Sequence, residues 1–252
     1  MRVEKHEVGA GGKKDPIPDT KPFVIRSLPR SGTHMLRTAL DSHPEIVCHG
    51  EIFNANATGG KFADVPAATL HARHTGPGEG YVVHGVPDED AAHYPTALDV
   101  WPVIERGRPV VLLLWRRDQL RRIASDIRAH QDRIWQRYKP GDWEKRPVGV
   151  EIPAEAVRRQ IGLALKSIAT GLRLYPWALQ VIYEELLADW DNQLARIQRA
   201  IGVRQVLPLR PRTLRQGGGP IREVVLNYDA LQVEFRGTKY ARWFEIAEFQ
   251  DG

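Results

Sequence analysis

The chain has 252 residues, 42% of them hydrophobic, enough to close one sizeable core without requiring a second. A formal charge of +5 favours an acidic partner, whether nucleic acid, an anionic membrane surface or a polyanionic small molecule. A single cysteine, Cys48, excludes an internal disulfide, the His and Cys residues lack the spacing of a structural zinc site, and nowhere do 18 apolar residues run together.

Residues 1–20 are polar and rich in Gly and Lys, without the apolar stretch of a signal peptide. The expectation is a cytoplasmic protein with no stable membrane insertion, a disordered N-terminal tail over 1–20 and a single domain over 21–252. Pro22 to Ser27 has strand character, and from Gly32 onward Thr-His-Met-Leu-Arg-Thr-Ala-Leu-Asp follows a helical pattern. Glu45 to Cys48 and Tyr81 to Val86 read as short strands. Asn54 to Gly80, between them, shows no clear period and reads as a loop or lid in which His71, Arg73 and His74 face a cleft.

Pro109 to Trp115 is continuously apolar, as in a strand covered on both faces, and Asp118 is placed to cap a helix running to about His130. Gln131 to Val150 mixes basic residues with Trp135, Tyr138 and Trp143. Ile152 to Tyr175 is a long helical segment with Pro153 near its first turn, Ala178 to Tyr183 a further strand and Asn192 to Ile201 a further helix. The residues from Ile221 onward, with Tyr228, Phe235, Tyr240, Trp243 and Phe244, are expected to pack back on the domain. Strands alternating with helices at this spacing predict an α/β fold, three-layered, with a central and mostly parallel sheet flanked by helices.

The first strand ends in Leu28-Pro29-Arg30-Ser31-Gly32-Thr33-His34, where small and hydroxyl residues open a helix. Backbone N–H groups at a helix start, the helix dipole, the Arg30 charge and the Ser31 and Thr33 hydroxyls suit a tetrahedral anion, with Gly32 letting it approach the backbone. An ordinary helix cap is the alternative. The P-loop pattern G-x-x-x-x-G-K-[ST] is absent and no Lys follows Gly32, which disfavours triphosphate chemistry.

Pro29-Arg30-Ser31-Gly32-Thr33 resembles the 5′-phosphosulfate loop of sulfotransferases that use 3′-phosphoadenosine 5′-phosphosulfate (PAPS). Leu113 to Ser125 is similar to that family's 3′-phosphate motif, a strand ending in Arg117 with Ser125 eight residues on. Val181-Ile-Tyr183-Glu-Glu-Leu186 resembles its Tyr-Glu-Asp-Leu segment. Asp41 to Phe53 and Arg128 to Trp135 point to the bacterial carbohydrate group, which includes trehalose and lipooligosaccharide-type enzymes. The resemblance spans roughly Phe23 to Gly202, with Arg215-Gln216 and Asn227-Tyr228 as weaker echoes. It implies a P-loop-like fold and transfer of a sulfuryl group from PAPS to a hydroxyl of a carbohydrate, glycolipid or natural-product acceptor, with release of PAP and no metal required.

By that resemblance Arg30, Ser31, Gly32, Thr33 and His34 hold the 5′-phosphosulfate, Arg117 and Ser125 the 3′-phosphate and Tyr183 the adenine end, with Arg215 in support. A buried core tyrosine is an equally ordinary reading of Tyr183. The other arginines of the helix after Asp118, with Arg116, read as a solvated face. Glu51 is the first candidate for general base, although a structural salt bridge would also account for it; His84 is the second and His49 the third. His34 stands where many members carry Thr or Ser, and Val83-His84-Gly85 where many carry a Gly-Phe-Lys segment. Trp135, Tyr138 and Trp143 are suited to cover the acceptor. Their basic setting also allows nucleic acid, but no nucleic-acid motif accompanies it, so a small-molecule or glycan partner is expected. Relatives are often homodimers, while no interface stripe is visible. The alternatives from other classes are a non-catalytic nucleotide-binding module and a kinase-like phosphotransferase.

Overall fold

A computed structural model describes residues 19–62, 65–85, 97–132, 149–213 and 219–249. The strands are β1 (Phe23–Ser27), β2 (Val47–Cys48), β3 (Glu79–His84), β4 (Val110–Trp115) and β5 (Leu179–Ile182). They form one sheet in the order β2-β3-β1-β4-β5 with every neighbouring pair parallel. The helices are α1 (Thr33–Leu40), α2 (Ala55–Thr58), α3 (Ala67–Arg73), α4 (Ala97–Gly107), α5 (Gln119–Asp132), α6 (Ala154–Leu174), α7 (Tyr183–Ala188), α8 (Trp190–Ile201), α9 (Ile221–Val224), α10 (Tyr228–Phe235) and α11 (Ala241–Phe249).

Successive β1 residues alternate between two apolar layers, as strand geometry requires. Phe23 and Ile25 join Leu36 and Leu40 of α1 and Leu194, Ile197 and Ile201 of α8 on one face. Val24 joins Leu70 of α3 and Val100, Trp101 and Ile104 of α4 on the other. The expected three-layer, P-loop-like α/β fold is therefore present. A third cluster joins Leu120, Ile123 and Ala124 of α5 to Val157 and Ile161 of α6 and to Tyr228, Phe235, Trp243 and Phe244, so the C-terminal helices pack back as expected.

Two readings are corrected. The stretch 54–80 is not a plain loop: it carries α2 and α3, the latter starting after Pro66, whose fixed φ suits a helix entry. Its histidines also serve the fold, with His71 Nδ1 2.8 Å from the Tyr81 hydroxyl and His74 Nδ1 2.8 Å from the Leu70 carbonyl. The arginines of α5 are not a solvated face, because Arg121 and Arg122 are buried where α5 lies against α6, α9 and α11.

Arg26, the fourth residue of β1, is also fully buried. Its guanidinium donates to the Ser167 carbonyl at 2.8 Å and the Gly85 carbonyl at 3.4 Å and lies over the Trp101 ring. Burial pushes its pKa down to about 10, with Tyr175 acting in the opposite sense. The side chain thus ties the end of β3 to α6 from beneath the sheet's carboxyl edge.

Candidate active site

Three adjacent strands end together. Ser27, the last residue of β1, pairs in register with His84 at the end of β3 and with Leu114 near the end of β4. Ligands of open parallel sheets bind at this carboxyl edge, and the Arg30–His34 loop, Ser125, Glu51 and His84 lie there.

After β1 the chain turns through Arg30 at φ 65° and Gly32 at φ 92°, both left-handed. For Arg30 this conformation costs about 1–2 kcal/mol, which the surrounding contacts must offset. At Gly32 a side chain is excluded twice: by the φ value, and because a Cβ would lie 2.4 Å from Cδ2 of Tyr183. The loop then enters α1, whose first-turn amides at Thr33 and His34 have no intrahelical acceptor by position. A helix start in this position, with its dipole, suits an anion.

Arg30 Nε donates to Ser125 Oγ at 3.0 Å, so the loop arginine and the α5 serine share one site although 95 residues apart. Arg117 lies apart from that contact: its guanidinium pairs with the Glu185 carboxylate, both side chains being about two-fifths exposed. Asp118 accepts the Arg121 amide at 2.9 Å and caps α5 as expected. Glu184 fastens the same turn by accepting the amides of Arg117 at 2.9 Å and Asp118 at 3.1 Å. Tyr183 is buried against Gly32, with the Arg116 guanidinium over its ring at 4.8 Å. Arg215 lies outside the described residues, as do Trp135, Tyr138 and Trp143.

The two leading base candidates form one pair. His84 Nε2 lies 3.2 Å from Glu51 Oε1, and Asn54 Nδ2 donates to Glu51 Oε2 at 2.7 Å. Glu51 is about one-third exposed and His84 is buried, so the carboxylate is the outer member. Burial works to raise the Glu51 pKa, but the hydrogen bond and charge of His84, the Asn54 amide and the His34 charge outweigh it and hold the group at about 2. His34 is pushed down to about 4, chiefly by burial and then by Arg37, with Glu51 opposing and Arg30 adding to the fall. A neutral His34 at pH 7 keeps one ring N–H to donate. His49, the third candidate, packs edge-on against His74 with ring centroids 4.7 Å apart, and its pKa is lowered by burial and then by His74.

Behind the loop, Ser27 Oγ lies 2.8 Å from Thr33 Oγ1 and 2.9 Å from His84 Nδ1. Arg122 threads between α5, α6 and the loop. It donates to Gln119 Oε1 at 2.7 Å, to Gln160 Oε1 at 3.0 Å and, at 3.5 Å, to the Pro29 carbonyl. Its full burial pushes its pKa down to about 10. Ser27, Asn54, Arg122 and Glu184 are thus site residues that sequence reasoning missed. Only Ser27 carried a usable signal, its place between an apolar strand and an anion loop.

A small-residue loop after β1 and an Arg–Ser contact reaching α5 beyond β4 thus lie at the carboxyl edge of a P-loop-like α/β sheet. No family model matches the chain. It is 27% identical over 254 residues to Nodulation protein H of Rhizobium meliloti (strain 1021), covering 90% of this chain and 96% of that protein. With Nodulation protein H of Rhizobium tropici the identity is 23% over 241 residues, covering 91% and 95%. Among solved structures it is similar to a sulfotransferase from Alicyclobacillus acidocaldarius, with a TM-score of 0.49, 14% identity and coverage of 88% of this chain and 98% of that one. Mouse sulfotransferase SULT7A1 complexed with PAP gives a TM-score of 0.47 and 14% identity, over 75% and 60% of the two chains. Motifs that resemble those of PAPS-dependent sulfotransferases thus meet at one sheet edge, in a chain similar to Nodulation protein H over nearly its full length.

Proposed function

We propose that the enzyme moves the sulfuryl group of PAPS to a hydroxyl of a carbohydrate, glycolipid or natural-product acceptor, with Glu51 as general base. The observation that carries this reading is the Glu51–His84 pair, joined through Ser27 to Thr33 of the anion loop, so that base and phosphosulfate cradle belong to one polar chain. In-line attack by the acceptor oxygen on sulfur forms the new S–O bond as the bond to the bridging oxygen of PAP breaks. The acceptor proton passes to Glu51, the exposed member of the pair, while His84 and Asn54 hold its carboxylate in place.

Charge gathering on the departing phosphate meets Arg30 and the amides of Thr33 and His34, a preorganised field that needs no metal to supply positive charge. Among the described residues no His, Cys, Asp or Glu cluster is arranged to hold a metal ion. Ser125, in contact with Arg30, starts the 3′-phosphate site, and Arg117 completes it by exchanging Glu185 for the phosphate. We read Tyr183 as the wall that shapes the loop at Gly32, with its ring edge toward the nucleotide. Residues 21–252 form the sulfotransferase domain in this reading. No helix among the described residues is long and apolar enough to cross a membrane.

The test is incubation with PAPS and a panel of glycan and phenolic acceptors in the presence of a chelator. Acceptor-dependent PAP release is expected. Release of ADP from ATP, only with magnesium, would overturn the reading in favour of a phosphotransferase.

A further inference from the structure

We propose that Ser27 is a positioning residue that couples the protonation state of the Glu51–His84 pair to the grip of Thr33 on the bound phosphosulfate. The inference rests on the reading of the loop as the PAPS site. It starts from proton counting along Thr33, Ser27, His84 and Glu51.

Nε2 of His84 faces an atom that only accepts, whereas the atom nearest Nδ1 is a hydroxyl that accepts or donates. Nε2 faces Glu51 Oε1 at 3.2 Å, and Nδ1 lies 3.3 Å from the Ser27 backbone carbonyl as well as 2.9 Å from Ser27 Oγ. The imidazolium, with a proton on both nitrogens, donates on both sides. In that state Ser27 Oγ accepts from Nδ1–H, and its single proton must go to Thr33 Oγ1, 2.8 Å away. Thr33 then accepts from Ser27, and its own proton is turned into the loop, toward an anion.

Loss of the Nδ1 proton reverses the sequence. Nδ1 accepts from the Ser27 hydroxyl, Ser27 accepts from Thr33, and the Thr33 proton is withdrawn from the loop. Ser27, Thr33 and His84 are all buried, so water does not readily scramble this order. The charged and titratable groups around the pair are Glu51 itself, His34, Arg30 and Arg37 on the α1 side, and Arg26, which reaches the Gly85 carbonyl from β1. The fixed positive charges among them act alike in both states. The choice between the two hydroxyl directions therefore lies with His84 and is transmitted by Ser27.

The experiment is calorimetric titration of PAP into wild-type, Ser27→Ala, Ser27→Thr and Thr33→Val proteins at about pH 6 and about pH 8.5. It is paired with 15N spectra of histidine-labelled protein without ligand. Wild-type affinity is expected to fall between the two pH values. Ser27→Ala is expected to weaken PAP by about fivefold to tenfold at the lower pH and to abolish the pH difference, the loss of one hydrogen bond to a charged group. Ser27→Thr should restore both, and Ser27→Ala combined with Thr33→Val should be no weaker than Thr33→Val alone. The His84 Nδ1 resonance should move in Ser27→Ala. PAP binding that keeps wild-type affinity and pH dependence in Ser27→Ala overturns the relay alone. A wild-type protein that binds no PAP overturns the sulfotransferase reading and the relay with it.

Discussion

Replacing Glu51 by Gln preserves the shape of the side chain and removes its charge, which makes it the sharpest probe of the base assignment. In the structure Glu51 accepts from Asn54 Nδ2 at 2.7 Å and sits 3.2 Å from His84 Nε2. A Gln amide offers one oxygen and one NH2, so one of these two contacts becomes donor against donor. The expected structural cost is about 1–2 kcal/mol, the value of one strained or lost hydrogen bond, and the fold survives it. The chemical cost is larger: loss of a positioned base lowers kcat by about 10²–10⁴-fold.

The assay is PAP release under single-turnover conditions, with PAP affinity measured on the same protein. Glu51→Gln should weaken PAP by no more than about tenfold, since the carboxylate reaches the loop only through His84 and Ser27, while turnover collapses further. Because Glu51 and His84 work as a pair, the Glu51→Gln, His84→Ala double variant should be no slower than the slower single variant. Turnover of Glu51→Gln within about threefold of wild type, beside an inactive His84→Ala, would refute the assignment and make His84 the base.

Arg117→Ala should weaken PAP by about tenfold or more, while Glu185→Gln, which frees the Arg117 guanidinium, should tighten it; calorimetry reads both, and no change in either removes Arg117 from the 3′-phosphate site. Gly32→Ala should lower Tm and abolish PAP binding, because the new Cβ meets the Tyr183 ring in a left-handed backbone. His34, held at about 4 against an ordinary 6.5, binds a proton more readily in the unfolded chain. Its contribution to stability is complete above about pH 6.5 and lost as pH falls toward 4, up to roughly 3 kcal/mol. Urea denaturation of wild type and His34→Gln across that window should show the shallower pH dependence in the variant.

The sheet was legible where chemistry and pattern coincide. Val110 to Trp115 is covered on both faces and reads as unbroken apolar sequence, and the β1 strand, small-residue loop and α1 helix announce one another in order. The helices α3 and α4 were not, since α3 is rich in Ala and His and α4 carries Pro102 in its interior. At the site, Arg30 and Ser125, read as the 5′ and 3′ ends of one donor site, are in contact in the fold. Arg122 misled because its spacing on α5 is that of a solvated face; its burial depends on Gln160 from a different helix, which no local pattern reveals. The Glu51–His84 pair is of the same kind. Two candidates that competed in the sequence are partners in the fold, because the β1–β3 register sets His84 beside Ser27 and the turn after β2 brings Glu51 over it.

The two-anion spacing is the core of the account, and binding of PAP against adenosine 5′-phosphate tests it most directly. The two ligands differ only in the 3′-phosphate, which Arg117 and Ser125 are read to hold, Arg117 through charge-assisted hydrogen bonds. Calorimetry in a chelator should show PAP bound at least about tenfold more tightly, as one such bond of about 1.5–3 kcal/mol requires. Equal affinities for the two ligands would contradict it.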